Sequence, residues 1–292
     1  MHLRHVVAAT DESAAGHHAA LTAARLAQAA EARLTVLFVK PSRSTPTAAP
    51  AAGPAEFEAS PAVRELSRAL HEDLTREAPD LTPGYAVLWG VPGVEIPRFA
   101  EDHEADLLVL GRKPRTRAQR VFMGDTADAV ARRSRVPCLF VLPGVRQIGT
   151  VLACLDGTER GMSVYHAARA VTAVIGARLR SVTVEPVWLD EPEELAGILP
   201  GARSLRLNRT LDRVRLAAGL EGGADGGDAA AAALAVRRGD VLTEILAESQ
   251  ASGADLLVTG YHRGGPPGMV EGGSVARKLL HAAPCAVLTV PL

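Results

Sequence analysis

Residues 260–274 read GYHRGGPPGMVEGGS, with six glycines in fifteen positions and a closing serine. The run lies between the apolar stretch DLLVT and the helical pattern VARKLLHAA. Glycine lets a backbone pass close to an anion, and a helix N-terminus offers free N–H groups and the positive end of its dipole. Gly260 would end a buried strand and Gly273 would open the helix. Ser274 could cap that helix and donate its hydroxyl to a phosphate oxygen. Asp156 ends the apolar run TVLACLD. Its carboxylate can accept hydrogen bonds from an adenine amine or ribose hydroxyls, so these residues outline a nucleotide site. No G-x-x-x-x-G-K-[ST] is present, which argues against Walker-type ATPase chemistry. No G-x-G-x-x-G follows the first strand pattern, which argues against NAD binding of the usual kind.

The same residue types occur twice. HVVAATDES (5–13) resembles TVLACLDGT (150–158), so Asp11 recurs as Asp156, 145 positions on. ADLLVLG (105–111) recurs as ADLLVTG (254–260), and the same offset of 149 pairs Gly111 with Gly260, Gly90 with Gly239 and Gly124 with Gly273. VPCLFVL (136–142) pairs with APCAVLT (283–289). A steady offset of this kind is a duplication. The expected domains are 1–145 and 148–292, with the boundary near PGVRQIG.

Each half must supply the elements that hold these residues. In the first, HVVAA and LTVLFV read as buried strands around a helix over ESAAGHHAALTAARLAQAAEA, with Ala20, Ala23, Ala24, Ala27 and Ala30 on one face. A helix over 61–77, strand YAVLW, a helix near 93–104, strand DLLVLG, a helix from 125 and strand CLFVL complete it. The second half repeats the order. The Pro/Ala/Ser-rich 40–60 and EGGADGGD at 221–228 read as loose inserts. Strands that are apolar throughout, alternating with helices, predict parallel sheets covered on both faces: two doubly wound α/β domains in tandem. Ligands in such sheets bind beyond the carboxyl ends of the strands, where the strand order switches direction. Asp11, Asp156, Gly111, Gly260, Gly124 and Gly273 all fall there.

Bulk properties exclude other classes. The 292-residue chain is 47% hydrophobic but only 3% aromatic, so its core must be built from Ala, Val and Leu. A net charge of −1 gives no bulk attraction to nucleic acid or to an anionic membrane. No apolar run approaches the ~18 residues of a membrane span. Three cysteines make no disulfide framework, and MHLRHVVAATDES lacks the form of a secretory signal, so a cytoplasmic protein is expected. The nine histidines show no metal spacing; His17 and His18 are adjacent and point about 100° apart on a helix. Cys138 and Cys285 read as buried small hydrophobes. No nucleophile or general base can be read from spacing.

With these residues in view, the chain resembles a tandem universal stress protein over nearly its whole length. The family pattern is an Asp after the first strand and G-x2-G-x9-G-[ST] after the fourth. The resemblance implies Rossmann-like, five-stranded parallel-sheet domains of the adenine nucleotide alpha hydrolase type. It also implies ATP as ligand: the Asp and a main-chain group after the second strand hold the adenosine, and the glycine loop and Ser/Thr hold the phosphates. The second repeat keeps the spacing with Asp156, Gly260, Gly273 and Ser274, followed by Val275. Arg263 stands at the middle glycine with Gly264 and Gly265 next, and Val184 resembles the adenine-contact position. The first repeat keeps Asp11, Gly111 and Gly124 but has Pro114 in the loop and Asp125 at the Ser/Thr position, leaving Thr126 to substitute only with a shift. ATP is therefore expected mainly in the second repeat.

Plainer readings stand beside these. Asp156, in DGTE, could be a helix N-cap, and Gly273 with Ser274 simple helix-start chemistry. Arg112, Lys113, Arg115, Arg117 and Arg120 read as a solvated loop or as a contact to another subunit. The leading expectation is an ATP-binding stress-response regulator that acts on a protein partner. The alternatives are a scaffold that binds no nucleotide and a slow ATPase requiring Mg2+. The final strands CLFVL and CAVLTVPL read as pairing edges, giving an intrachain pseudo-dimer or a homodimer.

Overall fold

The computed structural model describes residues 2–11, 13–41, 61–112, 126–144, 147–186, 212, 234–262 and 274–292. Both expected inserts, except for Lys40 and Pro41, lie outside these residues. The chain divides into two compact units, Met1–Gln147 with Pro284–Pro291, and Ile148–Ala283 with Leu292.

The first unit runs β1 (His5–Thr10), α1 (Ala14–Ala29), β2 (Arg33–Pro41), α2 (Pro61–Glu77), β3 (Gly84–Gly90), α3 (Pro92–Asp102), β4 (Leu107–Gly111), α4 (Thr126–Arg133) and β5 (Cys138–Val141). The strands lie in the order β3-β2-β1-β4-β5, all parallel. Every residue of β1 is buried, the signature of a strand covered on both faces. Ser13 caps α1 by accepting the Gly16 N–H. Ala19, Ala20, Ala23, Ala24 and Ala27 are fully buried, so the helix seats on the sheet through methyl groups. That packing explains how a chain so poor in aromatics closes a core. Ala30 lies past the last turn as the C-cap.

The second unit runs β6 (Thr150–Leu155), α5 (Met162–Ile175), β7 (Arg178–Glu185), β8 (Leu234–Arg238), α6 (Val241–Ser252), β9 (Leu256–Tyr261) and α7 (Ser274–Ala282). Its strands lie parallel in the order β9-β6-β7-β8. Asp240 caps α6, accepting from the Thr243 N–H at 3.0 Å and hydroxyl at 2.7 Å. The last strand, β10 (Ala286–Pro291), is a finding of its own. Although it belongs to the second repeat by sequence, it packs in the first unit. It runs antiparallel to β5, with Val287 beside Phe140 and Thr289 beside Cys138. The two final strands pair.

His5 makes one part of the first unit sensitive to acid. It is 3% exposed, with Nδ1 3.0 Å from the His103 carbonyl and Nε2 2.9 Å from Thr35 Oγ1. The carbonyl can only accept, so Nδ1 carries the proton and Nε2 accepts from Thr35. Burial lowers its pKa below 6.5, against an opposing pull from the His103 carbonyl. Below 6.5 the unfolded chain therefore binds more protons at this site than the folded chain does. The stability that neutral His5 contributes is complete above 6.5 and is lost as the pH falls through the folded value. Denaturation midpoints measured down a pH series should drop more steeply for the native sequence than for His5→Gln. Parallel curves would remove His5 as the cause.

Candidate functional site

In each unit the strand order switches direction beside the first strand of the repeat: between β1 and β4, and between β6 and β9. Pairing of Thr10 with Phe38 and of Ala9 with Leu110 sets Asp11 at the carboxyl ends of β2 and β4. Pairing of Leu155 with Thr183 and of Ala153 with Val258 does the same for Asp156, with Val184 one step beyond Thr183 and Gly260 two beyond Val258. The register thus brings Asp156, Val184 and Gly260 to one end of the second sheet, and Asp11 and Gly111 to one end of the first. Val184 is half-buried and pairs with Arg237.

Both aspartates sit in the same kind of corner. Thr158 donates its N–H (2.9 Å) and its hydroxyl (2.7 Å) to Asp156 Oδ1, and Thr158 Oγ1 accepts the Gly161 N–H at 3.0 Å. In the first unit Ser13 donates its N–H (3.2 Å) and its hydroxyl to Asp11 Oδ1, and Ser13 Oγ accepts the Gly16 N–H at 3.2 Å. The glycines are required. A Cβ on Gly161 would stand 2.1 Å from Asp156 Oδ1, and one on Gly16 would stand 2.6 Å from Thr10 Oγ1 and 2.9 Å from Asp11 Oδ1. Sequence reasoning singled out the two acids and missed Ser13, Gly16, Thr158 and Gly161. The recurring D-x-[ST]-x-x-G spacing would have found them. Asp156 does not cap α5, whose N-cap is Gly161.

Gly111 and Gly260 both answer to packing. A Cβ at Gly111 would lie 2.3 Å from the Ala15 carbonyl, and one at Gly260 would lie 2.3 Å from Leu292 Cδ1. Glycine is needed at 111 whether or not a ligand approaches, because main-chain atoms fill the space, whereas at 260 the Leu292 side-chain tip could move aside. Arg112 departs from expectation. It is 9% exposed rather than part of a solvated loop, and it donates to the Cys285 carbonyl at 2.6 Å. Its guanidinium is turned to the main chain just ahead of β10. Gly124, Arg263, Gly264 and Gly273 lie outside the described residues, as do Pro114, Asp125 and Gly265. Thr126 and Ser274 are the first residues of α4 and α7. Thr126 is exposed and Val275 half-buried.

The first turns of these two helices differ in charge. α4 reads TADAV, with Asp128 4% exposed and 3.7 Å from Arg132. α7 reads SVARK, and at the repeat offset of 149 Arg277 stands where the first repeat has Asp128. An acid at a helix N-terminus offsets the positive dipole end, whereas cations there add to the field that draws a polyanion.

Other reactive side chains have structural places. Cys138 and Cys285 are buried, and burial pushes the Cys138 thiol up to about 12. His17 Nε2 meets Asp73 Oδ2 at 3.0 Å. Among the described residues no cluster of His, Cys, Asp and Glu could hold a metal ion. No helix among them is long and apolar enough to cross a membrane.

This geometry has relatives. A 55-residue stretch is 40% identical to Universal stress protein MJ0531 of Methanocaldococcus jannaschii, covering 19% of this chain and 32% of the relative, so the match spans about a third of that protein. The fold is similar to a universal stress protein from Archaeoglobus fulgidus DSM 4304, with a TM-score of 0.68 at 14% identity over 98% of each chain. It is also similar to a functionally unknown protein from Pseudomonas aeruginosa PAO1, with a TM-score of 0.66 at 15% identity over 99% of this chain and 92% of that one. The universal stress protein family model matches twice, over residues 2–141 and 147–291: the chain is a member of the universal stress protein family, with two such domains in tandem.

Proposed function

We propose that this universal stress protein is an adenine-nucleotide-binding regulator in which the second repeat, 148–292, holds ATP. The observation that carries the reading is the convergence at one end of the second sheet: the Asp156 corner, Val184 and Gly260, followed by a helix that carries Arg277 as its fourth residue. Asp156 would accept from the ribose hydroxyls, and the main chain at Val184 would meet the adenine edge. The start of α7 at Ser274 and Val275, with Arg263, Gly264 and Gly273 ahead of it, would meet the phosphates. The first repeat keeps the acid corner at Asp11. It carries Asp128 in the helix turn that should face phosphate, so Gly111, Gly124 and Thr126 are a degenerate counterpart. Regulation through a protein partner is the reading carried forward, with slow turnover as its alternative.

The test is calorimetric titration of nucleotide-stripped protein with ATP and Mg2+. One site per chain is expected. Asp156→Ala should weaken it ~10–100-fold, the value of ~1.5–3 kcal/mol for a hydrogen bond to a charged group. No heat and no thermal shift at saturating ATP would overturn the reading. One observation favours the scaffold alternative: the packing of Gly111 against the main chain of Ala15 and Gly16 accounts for that glycine with no ligand at all.

A further inference from the structure

β3 reads Gly84-Tyr85-Ala86-Val87-Leu88-Trp89-Gly90 and is the terminal strand of the first unit. It pairs with β2 on one side, so its other edge presents a row of backbone N–H and C=O groups with no strand beside them among the described residues. Proteins blunt such edges with charge, proline or a bulge. β3 has no charged residue and no proline. The corresponding β8 is protected: it ends in Arg237 and Arg238, and Arg237 donates through Nε to Glu248 at 2.9 Å. β3 also carries the apolar surface. Trp89 is 52% exposed, and Val91 and Val94 just beyond it are 58% and 40% exposed. Lys40 of β2, level with Trp89, has its Nζ 5.8 Å from the indole centroid, so the ring is held from the sheet side.

The strand is close to its own reverse. About Val87, Ala86 corresponds to Leu88, Tyr85 to Trp89 and Gly84 to Gly90. A twofold axis at Val87 would set an aromatic ring opposite an aromatic ring on both sides of the axis, a cross-strand pairing that stabilises antiparallel strands. We infer that the open edge of β3 is a homodimer interface, pairing antiparallel with the β3 of a second copy about a twofold axis at Val87. In that register Trp89 of each copy stands opposite Tyr85 of the other. Both lie on one face with Val87, because side chains alternate along a strand. Tyr85 is already fixed for the contact by the 2.7 Å hydrogen bond between its hydroxyl and His71 Nδ1. β3 itself brings no formal charge to the contact. The four rings would cover at most ~600–1,000 Å², against roughly 1,200 Å² at the small end of specific interfaces, with Val91 and Val94 adding to it. The dimer is therefore weak and depends on protein concentration.

The test uses the full chain. Sedimentation velocity over a dilution series should show a monomer–dimer equilibrium. Trp89→Lys, at an exposed position, should raise its midpoint at least ~10-fold while leaving the circular dichroism unchanged. Val87→Cys should form a reducible covalent dimer under mild oxidation that the native sequence does not form, because only the proposed register sets the two Val87 positions face to face. A chain that stays monomeric throughout, a dimer indifferent to Trp89→Lys, or a Val87→Cys protein that remains uncrosslinked each overturns the inference.

Discussion

Gly111→Ala is expected to destabilise the first unit by ~1–3 kcal/mol or more, the usual cost of overpacking, and to lower its melting temperature by ~2–4 °C per kcal/mol. The added Cβ would stand 2.3 Å from both the Ala15 carbonyl carbon and its oxygen, and 2.7 Å from the Gly16 nitrogen. These are main-chain atoms in the first turn of α1. That turn is held by Ser13, which takes the Gly16 N–H at 3.2 Å through its hydroxyl and the His17 N–H at 2.8 Å through its carbonyl. Neither β4 nor α1 can yield without breaking the turn that shapes the Asp11 corner. Gly260→Ala should cost less, because its nearest atom is the Leu292 side-chain tip. Gly84→Ala, with nothing nearer than the Leu34 oxygen at 3.6 Å, should be close to neutral. Denaturation of the three variants side by side checks the order. If Gly111→Ala melted with Gly84→Ala, the close approach of β4 to α1 would be wrong.

Gly161→Ala should do the reverse: little loss of stability and a large loss of ATP affinity. The atom its Cβ meets is Asp156 Oδ1, at 2.1 Å, the far end of a side chain that can rotate away. Rotation takes the carboxylate off the Thr158 N–H and hydroxyl that aim it. The charge remains but its position does not, and a misplaced hydrogen bond to a charged group is worth ~1.5–3 kcal/mol, or ~10–100-fold in affinity. Gly16→Ala is the contrast, since its Cβ also meets the Asp11 main-chain nitrogen at 2.9 Å and must disturb the backbone. Calorimetry paired with thermal denaturation separates the cases. Unchanged ATP affinity in Gly161→Ala would move the nucleotide away from Asp156.

The duplication, the strand and helix order and the two acids could be read before any coordinates, because each is written in local pattern. Apolar runs such as HVVAA and DLLVLG, short and spaced between helical patterns, read as strands buried on both faces, and Ala20, Ala23, Ala24 and Ala27 read as one face of a helix. A recurring offset then doubles every conclusion. Ser13, Thr158, Gly16 and Gly161 were harder to see. A serine or glycine near a helix start has many ordinary uses, and only its distance from the carboxylate shows which one applies.

What local pattern does not carry is who fills the space beside a residue. Arg112 reads as one of five basic loop residues and is instead buried against the Cys285 carbonyl, 173 positions away. Gly260 reads as a phosphate glycine, yet its missing side chain makes room for Leu292. β10 reads as the last strand of the second repeat and packs in the first unit beside β5. In each case the partner lies far along the chain, and burial and main-chain hydrogen bonding select it only once the sheets have formed. Periodicity and the internal repeat were enough for the architecture, and the resemblance of the motifs pointed to the family. The neighbours of Gly111, Gly161 and Gly260, and the edge of β3 that has no strand beside it among the described residues, follow from packing in three dimensions.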